Sequence, residues 1–286
     1  MPMNESVIYP HIDTETCTRC GRCIVDCLPG AIDANTMQLD RERCIRCSHC
    51  SAICPVAAVS WNGDPGEPLD SPDVDPARSL AHVIQRRRSV RHFRNQALPD
   101  SLVAEIIRVT NHAPTGTNSR GVGITVINSP EKMQEFSGLA LRFFRRLARL
   151  LLNPITIPCM LPFIGLRGIR RLKGYRGFLY PDSIADNKLT HGAPALFVFH
   201  TDKSSSCPAE DGVIWATTAA LYAESLGIGT CYNGFLVRGI NLSRGLRRWL
   251  GVPAGHTVYE TFLAGMPRYR YHRAAHRDPC LQRIIE

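Results

Sequence analysis

No stretch of this sequence reaches the ~18–20 consecutive apolar residues that a membrane-spanning helix needs. Aromatic residues make up only 7% of it and no nucleic-acid-binding motif is present, so nucleic acid is not an expected partner. A Rossmann-type fingerprint is missing too, because Gly121-Val122-Gly123 lacks the third glycine and a preceding strand. No signal peptide is read ahead of the cysteine-rich start, which argues against a disulfide framework. Between Phe136 and Pro181 acidic residues are absent altogether. What remains is a chain of 286 residues, 44% hydrophobic, long enough for two domains and a substantial core.

Eight of the 12 cysteines crowd into the first fifth of the chain. They fall as Cys17, Cys20, Cys23, Cys27 and as Cys44, Cys47, Cys50, Cys54, two runs of C-x2-C-x2-C-x3-C. The flanks repeat as well, with Ile12-Asp13 and Glu15 matching Leu39-Asp40 and Glu42, and Ala31-Ile32 matching Ala58-Val59. Zinc would explain four cysteines at a time, but has no use for the third cysteine of each run. Over about residues 1–62 the segment resembles two-cluster bacterial ferredoxins. That resemblance implies one [4Fe-4S] cluster on Cys17, Cys20, Cys23 and Cys54, and another on Cys44, Cys47, Cys50 and Cys27. The second run ends in Cys54-Pro55 as the pattern wants; the first reaches its proline one residue late, at Pro29. Cys159, Cys207, Cys231 and Cys280 read as ordinary reduced thiols, and clusters with free thiols suit a cytoplasmic location.

Charge divides the chain. Residues 1–64 hold five Arg and eight Asp or Glu, against a net +9 for the whole, so the remainder is strongly basic. A basic domain calls for an anionic cofactor, substrate or surface. The density of Pro, Gly and Asp from Asn62 to Pro76 marks a linker, placed at residues 65–76, between a ferredoxin domain at 1–64 and a second domain at 77–286. In the second domain, Asp75-Pro76 and Pro99-Asp100 open helices, and Asp211 to Leu226 is a helix apolar almost all round. Strands are expected at Gly123–Ile127, Ala195–His200 and about His256–Leu263. Few βαβ units result, so the fold class is α+β, a small ferredoxin-like domain followed by an α+β sandwich.

Four pieces of this second domain carry chemistry together. Arg86 to Phe93 packs guanidinium donors and a hydroxyl at a helix end, suited to a phosphate. Ala113 to Asn118 is a turn of small polar residues, Leu226 to Gly234 is glycine-rich, and Gly265 to Arg270 adds cations. Their order resembles the FMN-dependent nitroreductase family over about residues 77–286, and the fusion to a ferredoxin resembles a known arrangement within it. The resemblance implies that Arg87, Arg88, Ser89 and Arg91 hold the FMN phosphate and ribityl chain, assisted by Arg268 and Arg270. Gly229, Thr230 and Cys231 would lie along the flavin ring. Pro114, Thr115, Gly116 and Asn118 would reach it from the partner subunit of a homodimer.

Asn233-Gly234 stands where some members have Glu-Gly, and Met266 replaces a frequent Tyr. No acid or base residue is singled out. The reading is an iron–sulfur flavoprotein fed by an external ferredoxin or flavodoxin and reducing a small acceptor: a nitro compound, a quinone or an activated alkene. Two alternatives stay open: NAD(P)H-reduced flavin exporting electrons through the clusters, and a cluster-gated redox sensor. The insert at 136–181, with nine basic residues and an amphipathic start at Leu141, Phe144, Leu147 and Leu151, reads as a lid; the alternative is peripheral membrane contact.

Overall fold

The same loop is folded twice near the start of the chain. The computed structural model describes residues 8–66, 75–153, 155–158, 165, 167, 187–269, 271 and 280–285, and the chain divides into two units, Met1–Val74 and Asp75–Glu286.

In the first unit, β1 (Pro10–Ile12) pairs antiparallel with β2 (Val59–Trp61), setting Ile12 opposite Val59. The equivalent pair in the other half is the Ile32–Leu39 bridge. Asp13 donates its N–H to Ala58 at 2.8 Å, and Asp40 donates to Ala31 at 2.7 Å. The short helices α1 (Arg22–Val25) and α2 (His49–Ala52) also correspond. Left-handed backbone recurs in register, at Arg19 and Arg46 (φ 55° and 54°) and at Gly21 and Ser48 (φ 74° and 65°). Ser48 takes, with a side chain, a conformation that costs a non-glycine residue about 1 kcal/mol or more. The core is small: Ile12, Cys23, Ile32, Met37 and Val59, with other cysteines packed around it. So few buried side chains cannot hold a unit of this size by themselves, and a bound metal group is the usual supplement.

The second unit opens with α3 (Pro76–Arg86), where the Asp75 side chain accepts from the N–H groups of Ala77 and Arg78 at 3.0 and 3.2 Å. Next come α4 (Asp100–Thr110), β3 (Val122–Asn128), α5 (Pro130–Leu151) and β4 (Ala195–Asp202). The chain continues through α6 (Pro208–Ser225), β5 (Gly229–Tyr232), α7 (Gly234–Leu242), α8 (Arg244–Trp249) and β6 (His256–Gly265). The strands make one antiparallel sheet in the order β3-β4-β6-β5. β4 is buried from Ala195 to Thr201, and its side chains alternate between two cores. Ala195, Phe197 and Phe199 join Phe262 and the alanines of α6 on one face; Leu196 and Val198 join Phe136, Phe144 and Leu236 on the other. Helices therefore cover both faces, with Phe197 stacked on Phe262 at 4.9 Å in the middle.

The α+β expectation is borne out. The structure adds a fourth strand, β5, where the sequence suggested only a glycine-rich turn, and two further helices, α7 and α8. The basic amphipathic stretch is the second half of α5, with Leu141 and Phe144 buried and Arg142, Arg146 and Arg149 exposed. Most of the rest of the insert, residues 154 to 181, lies outside the described residues. Among the described residues no helix is long and apolar enough to cross a membrane.

Candidate functional site

The eight cysteines of the first unit line two cavities. One is bordered by Cys17, Cys20, Cys23 and Cys54, the other by Cys44, Cys47, Cys50 and Cys27. Three neighbours of one run thus meet the last cysteine of the other run, twice. Backbone N–H groups point at the sulfurs in the same repeat. Arg19 donates to Cys17 Sγ and Arg46 to Cys44 Sγ, both at 3.4 Å; Ala31 donates to Cys27 Sγ and Ala58 to Cys54 Sγ, both at 3.2 Å. Burial, with Cys47 and Cys44 adding to it, pushes the Cys50 thiol up to about 11; burial likewise pushes Cys23 up. Thiols so crowded ionise only against a compensating positive charge, which iron in a cluster would supply. The donor set, four cysteines to each cavity, fits a four-iron cluster.

In the second unit the chain leaving α3 runs as a ribbon between the ends of two strands. Ser89 pairs with Thr230 of β5, and Val90 donates to Thr230 O at 2.9 Å. Further on, Phe93 pairs with Pro267, Arg94 donates to Met266 O and Arg268 donates to His92 O, each of these two bonds at 2.9 Å. Three of the four predicted pieces therefore come together: Arg87 to Arg91, Gly229 to Cys231, and Arg268. Gly229 owes its size to this packing, since a Cβ there would stand 2.7 Å from Val90 Cγ2 and 3.0 Å from Pro267 Cγ. Burial pushes the Cys231 thiol up, while Arg91, Ser89 and Arg87 pull the other way.

Arg87 lays its guanidinium over the Tyr232 ring, 5.7 Å from the centroid, and buries Nη1 with no hydrogen-bond partner. Thr230 Oγ1 is buried and unpartnered as well. Buried polar atoms are nearly always satisfied, so a donor and a hydroxyl left over on adjoining segments fit a polar, anionic ligand. The neighbouring arginines are engaged elsewhere. Arg86 Nε meets Glu224 Oε1 at 2.8 Å, and Arg88 Nη1 donates back to the carbonyls of Gln85 and Arg87 at 2.7 and 2.6 Å. Arg270, also predicted, lies outside the described residues.

The fourth piece is elsewhere in the unit. Gly116 to Asn118 form a single 3-10 turn at the start of α6, where Gly116 donates to Asp211 Oδ1 at 2.8 Å and Ser119 to Asp211 Oδ2 at 3.4 Å. The Ser89–Thr230 pair lies toward the other end of α6, close to Ile228, whose N–H caps Ala223 at 2.8 Å. Asp211 and Glu224 are separated by about 20 Å along the helix axis at ~1.5 Å per residue. The turn and the Ser89–Thr230 pair therefore stand toward opposite ends of α6.

Two residues escaped the sequence reading. Asp211, 1% exposed, clamps the turn; an acid at a helix start reads as an ordinary dipole partner. Asn233 was noted only as a departure from a family pattern. Its Oδ1 accepts from Leu236 N–H at 3.1 Å and its Nδ2 donates to Leu189 O at 2.6 Å. That second bond spans the sequence and leaves no local signal.

A unit with two four-cysteine cavities, followed by an α/β/α unit with a buried, unpartnered guanidinium, suits a redox protein. The family model for the nitroreductase family matches residues 84–265, more than half of the chain, and that for a 4Fe-4S dicluster domain matches residues 9–55. The chain belongs to the nitroreductase family, and the expected fusion is borne out. Among solved structures it is similar to a nitroreductase with bound FMN from Bacteroides fragilis, at 18% identity and TM-score 0.56, covering 72% of this chain and 98% of that one. It is also similar to a nitroreductase with bound FMN from Desulfitobacterium hafniense, at 24% identity and TM-score 0.51, covering 70% and 94%. An FMN-dependent nitroreductase from Clostridium difficile gives 20%, 0.50, 72% and 98%. At these identities the likeness concerns the fold. No curated protein matches the chain.

Proposed function

We propose that the chain is an iron–sulfur flavoprotein reductase. It takes single electrons from an external ferredoxin or flavodoxin into two [4Fe-4S] clusters and uses FMN to reduce a small organic acceptor. The observation that carries the flavin is the pair of orphaned polar atoms, Arg87 Nη1 and Thr230 Oγ1, on segments joined by the Ser89–Thr230 bridge. Arg87, Ser89 and Arg91 would hold the phosphate and ribityl chain, with Arg268 beside them. Gly229, Thr230 and Cys231 would follow the ring. When bound, FMN supplies the ability to collect electrons singly and release them in pairs. The role of the clusters rests on the two four-cysteine cavities.

The working unit is a homodimer in this reading. The separation of these pieces toward the two ends of α6 calls for a partner whose Pro114–Asn118 turn completes the site. Apolar side chains stand open on both helices concerned: Leu80 and Ile84 of α3 are 55% and 53% exposed, and Val213 and Ile214 of α6 are 45% and 40% exposed. Exposed apolar side chains of this kind favour association.

The test is anaerobic turnover of the purified protein over a panel of nitro compounds, quinones and activated alkenes, with reduced ferredoxin compared against NAD(P)H. The expected result is acceptor reduction with ferredoxin and little with NAD(P)H. Rapid bleaching of the flavin by NAD(P)H, with export of electrons to oxidised ferredoxin, would reverse the proposed direction.

A further inference from the structure

The helix layer on the sheet face away from α6 is assembled from two stretches far apart in sequence. α5, α7 and α8 share one core there, with Phe136, Phe144, Leu236, Ile240 and Leu246 packed on Leu196 and Val198. α5 and α7 lock together at Phe144. A Cβ on Gly239 would stand 2.6 Å from its ring, and Phe235 meets it edge-on at 6.0 Å. Leu141 and Phe144 are core residues, so the basic amphipathic stretch is anchored in the unit at this end.

Both stretches lack acid. No Asp or Glu occurs from Phe136 to Asn153, nor from Ser225 to Tyr259, although each stretch holds four arginines. The acids of this layer, Glu131 and Glu135, sit in the first turns of α5, bound by Ser129 and by Lys132 with Trp249. Arg142, Arg146 and Arg149 are exposed and recur at helical spacing along one side of α5. Arg238 of α7 and Arg244 and Arg248 of α8 are exposed as well. Large apolar side chains stand open on the same helices. Leu150 is 62%, Phe235 40% and Leu242 67% exposed, and Ile155, just beyond α5, is 80% exposed.

We propose that this helix layer rests on an anionic phospholipid surface. Guanidinium groups bind lipid phosphate, while open aliphatic and aromatic side chains enter the headgroup boundary, the combination that interfacial helices use. A nucleic acid would engage the arginines and leave Leu150 and Leu242 without a role. The contact is a surface one, since no described helix is long and apolar enough to cross a bilayer. The α3 and α6 side chains offered to a partner subunit belong to the other layer, so one protomer can make both contacts. Neither the flavin nor the clusters enter into this contact.

The test is co-sedimentation of the intact purified chain with phosphatidylcholine vesicles, either pure or with about one-third phosphatidylglycerol. Binding is expected only to the anionic vesicles and should weaken as salt rises. Arg146→Glu combined with Arg149→Glu should lower the partition at least ~25-fold, at about fivefold per cationic side chain. Arg238→Glu combined with Arg244→Glu should match it, because α7 and α8 share the surface. Leu150→Ser combined with Leu242→Ser should weaken binding by about fivefold or more with the charge unchanged. Arg78→Glu combined with Arg108→Glu, both exposed on the other layer, should leave binding nearly unchanged. All these side chains are exposed, and far-ultraviolet circular dichroism checks that each variant keeps its fold. No binding to anionic vesicles, or an equal loss in the Arg78/Arg108 variant, overturns the proposal. Full binding in the Leu150/Leu242 variant overturns it too, in favour of a plain polyanion site such as a nucleic acid would fill.

Discussion

The guanidinium of Arg87 lies over the ring of Tyr232 with its centre 5.7 Å from the ring centroid, and its Nη1 is buried without a partner. The ring of β5 thus fixes a cation whose hydrogen-bonding capacity the protein leaves partly unused. A pre-positioned guanidinium loses little freedom on meeting a phosphate.

Replacing Arg87 or Ser89 by Ala should therefore release FMN. Charge-assisted hydrogen bonds are worth about 1.5–3 kcal/mol each, which is roughly ten- to a hundredfold in affinity. Flavin stoichiometry after gel filtration reads the loss, with the iron content unchanged. Full FMN occupancy in the Arg87/Ser89 double variant would place the phosphate elsewhere.

Cys47→Ala should remove one cluster and spare the other, because Cys47 borders only the cavity shared with Cys44, Cys50 and Cys27. Iron should fall from about eight to about four per chain, the content of one cubane. Electron delivery from reduced ferredoxin should stop while FMN stays bound. A single zinc in the wild-type protein would refute the cluster assignment.

A third expectation concerns pH and stability. His200 is 5% exposed and meets His256 Nδ1 to Nδ1 at 2.9 Å, with Thr125 Oγ1 at 3.3 Å from its Nε2. Burial, then the charges of His256 and Arg247, hold it down to about 4. An unfolded histidine titrates near ~6.5, so between these values the unfolded chain binds the extra proton. The stability contributed by a neutral His200 is fully present above ~pH 6.5 and is lost as pH falls toward 4, about 3 kcal/mol in all. Denaturant titrations at a series of pH values should show that loss in the wild type and a flatter profile in His200→Asn. Parallel profiles would remove His200 as the cause.

How much of this was written locally in the chain differs between elements. The cysteine loops were legible because cluster ligation needs three sulfurs on one tight turn, and that constraint fixes spacing residue by residue. β4 was legible because a central strand covered by helices on both faces leaves an unbroken apolar run, Ala195 to Phe199. β5 was not: Gly229-Thr230-Cys231-Tyr232 is too short and too mixed to carry a period. It becomes a strand only because Ala264 and Ser89, distant in sequence, offer backbone partners to Thr230. The same holds within the site. The arginines announced themselves by composition, whereas Asp211 and Asn233 matter through contacts that sequence spacing does not encode. The helix after Cys207 starts at Pro208, three residues before the expected Asp211, with the proline in its first turn.

β5 stands last in the sheet order, and the ribbon from Ser89 onward, through Val90 N–H, covers the side of it that β6 does not. The residues proposed for the flavin are therefore also the selvage of the sheet, the finished margin that keeps its weave from fraying. An exposed strand margin invites another chain to pair with it. Flavin-free protein, with this ribbon less firmly held, would be the form most prone to associate side by side. Supplying flavin during expression should then raise the yield of dispersed protein as well as its colour.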